Sequence, residues 1–345
     1  MIGFCLAAGA GARLEPLTRA TPKPLLAPAG RPLIDLAVEA LQRAGATRVV
    51  VNAHHGADRL AAHLTGRPGV EVVVEPILLG TGGGLINAAR LGLLGAGHDP
   101  VLVTAADHVL DPADLTALAG FLERSGAPMA AGLIPATTNP FRLRLEGTAA
   151  DPRVVRDPVG PWDSAGAYAL RAGLLGDLEP GPATLSERVL GPLLDRGRLA
   201  GLPFRGPVAD AGTLARLLEV AAGLLTGRWP YALPPGRLGR AVGTGPAFVA
   251  EGAEVDPAAV LAGPVVVDTG ARVEADAVVT RSVVGPAALV GPGARVTGSF
   301  LGPGAQIPPG ATATAALVPG RAGSPGNPGR ASPDPAHEHA IDPAG

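Results

Sequence analysis

Leu6-Ala7-Ala8-Gly9-Ala10-Gly11-Ala12-Arg13-Leu14 stands at the end of Ile2–Ala7, an apolar run that reads as a buried β-strand. Glycines let a backbone approach a phosphate closely, and a turn of aligned N–H groups makes an anion nest. Residue identity excludes two common loops of this kind. A Walker loop ends in Gly-Lys-Ser/Thr, but Ala12-Arg13-Leu14 stands here, and a dinucleotide fingerprint needs a third glycine where Leu14 lies. Outward from the loop, Arg48–Val51, Val70–Val74 and Val101–Ala105 read as further strands. Leu33–Ala44 (stopped by Gly45), Gly84–Leu94 and Pro112–Arg124 (with Asp111 as N-cap) read as helices. The alternation predicts an α/β fold, a Rossmann-like, mostly parallel sheet with helices on both faces. Ligands bind beyond the carboxyl ends of such strands, so chemistry is expected just after Ala7, Val74 and Ala105.

The pattern changes beyond residue 227. Residues 228–246 are rich in Pro and Gly and read as a linker, with Trp229 and Tyr231 packing it onto a domain. After it Val255, Leu261, Val267, Val273 and Val279 recur every six residues. The register slips by one, Val284, Val290 and Val296 resume the period, and a second slip gives Leu301 and Ile307. One buried aliphatic per six residues, preceded by pairs such as Gly270-Ala271 and Gly293-Ala294, describes a left-handed β-helix of hexapeptide repeats over 247–318. Residues 319–345 lose the phase and read as a disordered tail. The expected organisation is therefore a catalytic domain at 1–227, the linker, the β-helix and the tail.

Composition narrows the function. Lys+Arg 28 against Asp+Glu 30 gives a net charge of -2, which argues against a nucleic-acid binder that works through bulk positive charge. Cys5 is the single cysteine, so no intramolecular disulfide or cysteine-cluster metal site can form. No uncharged apolar run reaches the roughly 18–20 residues that span a bilayer. The chain reads as soluble and cytoplasmic, with no membrane partner.

The segment after the loop adds a second cation to Arg13. In Thr21-Pro22-Lys23-Pro24-Leu25 the prolines hold the chain extended and would aim the Lys23 ammonium back at the glycines; the plain alternative is solvated surface charge. Together, Gly9-Ala10-Gly11-Ala12-Arg13-Leu14-Glu15-Pro16-Leu17-Thr18 and Pro22-Lys23-Pro24-Leu25 resemble the signature of the nucleoside-diphosphate-sugar pyrophosphorylases, the sugar-1-phosphate nucleotidyltransferases. The resemblance runs on to Asp210-Ala211-Gly212-Thr213 and, through the β-helical tail, over most of the rest.

The resemblance implies roles for particular residues. Leu6, Ala8, Gly9, Gly11, Gly80 and Thr81 would bind the nucleotide, with Arg13 and Lys23 as the catalytic cations. Glu75, at a strand end, would read the base edge. An ionised Glu only accepts hydrogen bonds, and guanine offers two adjacent donors, which leans towards GTP. Asp107 and Asp210, each closing a short apolar run, suit Mg²⁺ and occupy the family's two metal positions. One departure concerns the sugar phosphate. Many members carry Glu-Lys-Pro before the Gly-x-Tyr segment, whereas Arg156-Asp157-Pro158 stands here, so Arg156, Arg142 or Arg144 would supply the cation. Asn139, Asp163 and Gly166 complete the expected sugar pocket.

The expected activity joins a nucleoside triphosphate to a sugar-1-phosphate and releases pyrophosphate. The layout with a hexapeptide tail puts GTP and mannose-1-phosphate first. The Leu79–Gly84 turn and the short segment before Gly166 also resemble uridylyltransferases that act on N-acetylmuramate-1-phosphate, and other UTP- or dTTP-using members stay open. A rival of another class is a catalytically silent regulatory subunit that binds sugar nucleotides. An acyltransferase site on the β-helix would need a histidine base, and none of the seven histidines lies in the repeats. The β-helix therefore reads as structural or oligomer-forming, a contact between copies of the chain.

Overall fold

The computed structural model describes residues 1–136, 142–148, 151–243 and 245–320. The chain opens with β1 (Ile2–Leu6), a short helix α1 (Leu17–Ala20), α2 (Leu33–Arg43), β2 (Arg48–Ala53), α3 (Ala57–Leu64), β3 (Val70–Val74), α4 (Gly80–Arg90) and β4 (Pro100–Ala105). Then come β5 (His108–Val109), α5 (Pro112–Ser125), β6 (Met129–Pro135), β7 (Leu143–Thr148), β8 (Asp151–Arg156), β9 (Trp162–Arg171), α6 (Gly191–Asp195), β10 (Leu199–Pro203), β11 (Ala209–Asp210) and α7 (Leu214–Leu225). Nine strands form one sheet in the order β3-β2-β1-β4-β9-β6-β10-β8-β7. The β3-β2-β1-β4 half is parallel, as the alternation predicts. β9 then enters antiparallel between β4 and β6, so the complete sheet is mixed.

Strands buried on both faces read as unbroken apolar runs. Phe4 and Val50 point into one core with Leu85, Ile86 and Ala88 of α4. Cys5, Val49 and Val51 point into the other, with Leu36 and Leu41 of α2, Leu115 and Leu118 of α5, and Leu217 and Val220 of α7. The Asp111 carboxylate caps α5 by accepting from Ala113 N at 2.9 Å. α4 begins at Gly80, four residues ahead of the expected Gly84. A run of glycines is a poor helix former. Here the backbone of residues 181–184 lies against it: a Cβ at Gly82 would stand 2.4 Å from Thr184 O, and one at Gly83 2.3 Å from Gly181 O. Close backbone approach overrides propensity.

Within residues 228–246, β12 (Gly236–Arg240) pairs antiparallel with β13 (Pro246–Ala250). Trp229 and Tyr231 are buried; Trp229 Nε1 donates to Pro207 O at 2.8 Å and the Tyr231 hydroxyl to Leu110 O at 2.7 Å. The repeats form a left-handed β-helix of three parallel ladders. One continues β13 through Val265–Val267, Val283–Val284, Phe300–Leu301 and Leu317–Val318. Val267, Val273, Val279, Val284, Val290, Val296 and Leu301 fill its interior, as their spacing predicts. Phe248, Val266, Val283 and Phe300 point outward from that ladder and join the core shared with α7, which docks the β-helix onto the first domain. Residues 321–345 of the expected tail lie outside the described residues. Among the described residues no helix is long and apolar enough to cross a membrane.

Both register slips fall on the same corner, where a coil is one residue shorter, and a buried serine occupies each. Ser282 Oγ donates to Thr280 O at 2.7 Å and accepts from Ser299 N at 3.0 Å. Ser299 Oγ donates to Thr297 O at 2.9 Å and accepts from Ala316 N at 3.1 Å. The hydroxyls thus relay between successive coils. Ser282→Ala leaves the buried Ser299 N–H without its partner and should destabilise the β-helix by about 1–3 kcal/mol. A thermal unfolding midpoint equal to the wild type's would show that the relay is not needed.

Candidate active site

The parallel register aligns Leu6 of β1 with Asn52 of β2 and Ala105 of β4, so three strand ends meet at one edge. A cavity of about 420 Å³ opens there. Leu6, Ala8, Gly9, Gly11 and Arg13 line it, with Lys23, Asn52, Gly80, Thr81, Asp107 and Gly212. Gly11 adopts φ +67°, and the Thr18 hydroxyl donates to its carbonyl at 3.2 Å. A Cβ on Gly11 would stand 2.9 Å from Lys23 Cβ, so the loop rests directly on the lysine that the two prolines present.

Lys23 Nζ forms an ion pair with Asp107 Oδ2 and lies 4.0 Å from Asp210 Oδ1. The Arg13 guanidinium lies 3.7 Å from Asp210 Oδ2 and packs over Gly212, where a Cβ would come within 2.4 Å of it. The four charged side chains singled out in the sequence therefore converge. The convergence is built by the short antiparallel pair β5–β11, in which Asp210 faces His108, and by Ala211 N donating to Asp107 O at 2.8 Å. Burial pushes the Asp107 carboxyl up, but the His108 and Lys23 charges and the Lys23 hydrogen bond outweigh it and hold it below the usual carboxylate range. Asp107, His108 and Asp210 offer three ligand atoms that lie within 4.8 Å of one another. Asp210 Oδ1 is buried without a hydrogen-bond partner among the described residues, and two hard carboxylates fit a divalent cation such as Mg²⁺.

Glu75 behaves otherwise than expected. It is buried and is not on the cavity wall. Its oxygens accept from Asn52 Nδ2 at 2.7 Å and from Leu79 N at 3.2 Å, which occupies the carboxylate inside the protein. Asn52 in turn accepts from Ala7 N at 2.8 Å. Because a carboxylate only accepts, it fixes which end of the Asn52 amide faces the loop. Gly84 makes room for this pair; a Cβ there would stand 2.5 Å from both Asn52 Nδ2 and Glu75 Oε1. Thr81 lines the cavity while its hydroxyl accepts from Leu185 N at 2.9 Å.

A second cavity of about 600 Å³ is lined by Arg142, Arg156, Asp157, Ser164 and Tyr168 together with Leu143, Leu190, Leu194 and Leu199. Asp157, at the position of the family lysine, accepts from Arg144 Nε at 3.0 Å and from Val159 N at 3.0 Å. It anchors the turn after β8. Arg156 lies 3.5 Å from Asp195, both largely exposed. Asp163 is buried in β9 opposite Ile134, and Gly166 backs onto the His108 ring; neither lines this cavity. Asn139 lies outside the described residues. The sequence reading passed over Asn52 and His108. The one available signal for Asn52 was a lone amide closing the apolar run Val49-Val50-Val51.

The Asn52–Glu75 pair yields a prediction. Asn52→Ala should cost about 1–3 kcal/mol of stability by stranding Ala7 N and a buried carboxylate. Asn52→Asp sets two carboxylates side by side, which raises the pKa of one of them, so its penalty should be larger at alkaline than at mildly acidic pH. A denaturation series with no pH dependence of the difference from wild type would contradict this geometry.

Comparison with known proteins bears on the family. A family model described as "Nucleotidyl transferase" matches residues 2–141. The chain is 33% identical over 240 residues to N-acetylmuramate alpha-1-phosphate uridylyltransferase of Neisseria meningitidis serogroup B, covering 66% of this chain and 100% of that protein. It is 30% identical over 312 residues to mannose-1-phosphate guanylyltransferase of Mycobacterium tuberculosis, covering 80% of this chain and 82% of that one. A Bacillus anthracis structure described as a glucose-1-phosphate thymidylyltransferase shares the fold, with a TM-score of 0.55 at 20% identity over 64% of this chain and 94% of that one. With its glycine loop, paired cations and paired carboxylates at one sheet edge, this chain belongs to the sugar-1-phosphate nucleotidyltransferases, the nucleoside-diphosphate-sugar pyrophosphorylases.

Proposed function

We propose that the enzyme uses GTP and mannose-1-phosphate, with residues 1–227 as the catalytic domain and the β-helix as a structural or oligomer-forming element. The observation that carries this choice over the uridylyltransferase reading is the reach of the similarity. The match to the mannose-1-phosphate guanylyltransferase covers 80% of this chain, against 66% for the uridylyltransferase. Glu75 lends no support to a guanine preference, because its oxygens are occupied within the protein. A second reading, UTP with N-acetylmuramate-1-phosphate, is favoured by the larger cavity. Its apolar wall of Leu143, Leu190, Leu194 and Leu199, with Arg142 and Arg156, suits a sugar carrying acyl and acidic substituents.

In the proposed reaction an oxygen of the sugar phosphate attacks the α-phosphorus in line. A new P–O bond forms, the bond from the α-phosphorus to the bridging oxygen breaks, and pyrophosphate leaves. The acceptor is already an anion, so no general base is needed. The obstacle is repulsion between phosphates and charge on the leaving group. The loop amides and Arg13 hold the β- and γ-phosphates. Lys23, on its proline frame, offsets charge at the reacting centre. Asp107 and Asp210 would hold a divalent cation, which supplies charge neutralisation between the two substrates.

Removing one preorganised charge of this kind costs on the order of 10²–10³ in rate. Lys23→Ala and Asp107→Ala should each lower pyrophosphate release by at least that factor while circular dichroism stays native. Near-normal turnover in either variant would remove that residue from the catalytic set. Four triphosphates tested against mannose-1-phosphate, N-acetylmuramate-1-phosphate and glucose-1-phosphate should give the highest kcat/KM for the GTP–mannose pair; a maximum with UTP would select the second reading.

A further inference from the structure

His108 stands on β5 directly opposite Asp210 of β11, and opposed residues of an antiparallel pair project from one face. A ligand atom of His108, one of Asp107 and one of Asp210 lie within 4.8 Å of one another. The ring occupies space left by Gly166: at φ +69° that residue carries no side chain, and a Cβ there would stand 1.9 Å from His108 Cε1 and 2.2 Å from Nδ1. Nδ1 is buried and has no hydrogen-bond partner among the described residues, and the same holds for Asp210 Oδ1. Two opposed residues of one strand pair thus bring a ring nitrogen and a carboxylate oxygen to the same corner, and each carries a buried atom without a hydrogen-bond partner among the described residues. An orphaned buried polar atom costs free energy unless something completes it.

We propose that His108 is a third protein ligand to the divalent cation held by Asp107 and Asp210, and that its ring nitrogen shifts the site towards Mn²⁺ and Co²⁺. The inference rests on the cation reading of the two aspartates. Mg²⁺ takes oxygen ligands and gives up its waters reluctantly. Imidazole suits first-row transition ions, so one nitrogen among two carboxylates should widen their advantage over Mg²⁺. It also gives Gly166 a task in this chain: keeping the ring in reach of the carboxylates.

The test is titration of the full-length protein with each metal alone, followed by calorimetry, by Mn²⁺ paramagnetic resonance and by the visible absorption of bound Co²⁺. Losing even an outer-shell partner of a metal ligand costs about 10–100-fold in affinity, so His108→Asn should weaken Mn²⁺ and Co²⁺ by at least about tenfold and change the Co²⁺ spectrum. Mg²⁺ affinity should change little, since the amide oxygen is an acceptable hard donor. Asp107→Asn should weaken all three ions. If Asp107→Asn does so but His108→Asn leaves the Mn²⁺-to-Mg²⁺ ratio and the Co²⁺ spectrum unchanged, the role of His108 falls and the two-aspartate reading stands. If Asp107→Asn changes nothing, the ions bind elsewhere and both fall.

Discussion

Two carboxylates, Asp107 and Asp210, are held in one partly buried corner, and like charges in such a place repel unless a cation stands between them. Lys23 is that cation here, paired with Asp107 and 4.0 Å from Asp210. Much of the local construction serves this arrangement. Pro22 and Pro24 limit the backbone around Lys23, Gly11 at φ +67° lets the loop close onto its side chain, and the β5–β11 pair brings the second aspartate across. An enzyme that must bring two phosphate groups together needs such a concentration of opposed charges, fixed before the substrates arrive.

Glycine is used against its own propensity in this fold. Gly82 and Gly83 sit inside α4, where each weakens the helix, because the backbone of residues 181–184 needs the space. Gly84 clears room for the Asn52–Glu75 pair, and that pair fixes the Ala7 amide at the start of the glycine loop. Three separate strand ends are thereby tied to one another through a buried carboxylate. This side of the cavity is organised by that chain of hydrogen bonds, with Glu75 behind the wall.

The β-helix is joined to the same construction. α7 begins four residues after Asp210 with Thr213 as its cap, accepting from Arg216 N, and its inner face shares a core with Phe248, Val266, Val283 and Phe300 of the repeats. The segment carrying the second aspartate is thus buttressed by the repeat domain. Ser282 and Ser299 allow the coil to lose a residue at one corner while keeping its interior valines in phase.

The α/β alternation, the hexapeptide period and the two cations of the loop were legible in the residues, because each is a local pattern: apolar runs, a six-residue spacing, prolines flanking a lysine. Asp107 and Asp210 were legible as acids ending apolar runs. What sequence order could not convey is which of these ends would meet, since the β5–β11 pairing joins positions a hundred residues apart. It also could not show that Glu75 turns inward to Asn52, that Asp157 binds Arg144, or that the His108 ring packs against Gly166. A polar side chain's partner is settled by which neighbour the packed backbone brings within hydrogen-bond reach, and that is decided only when the tertiary structure has formed.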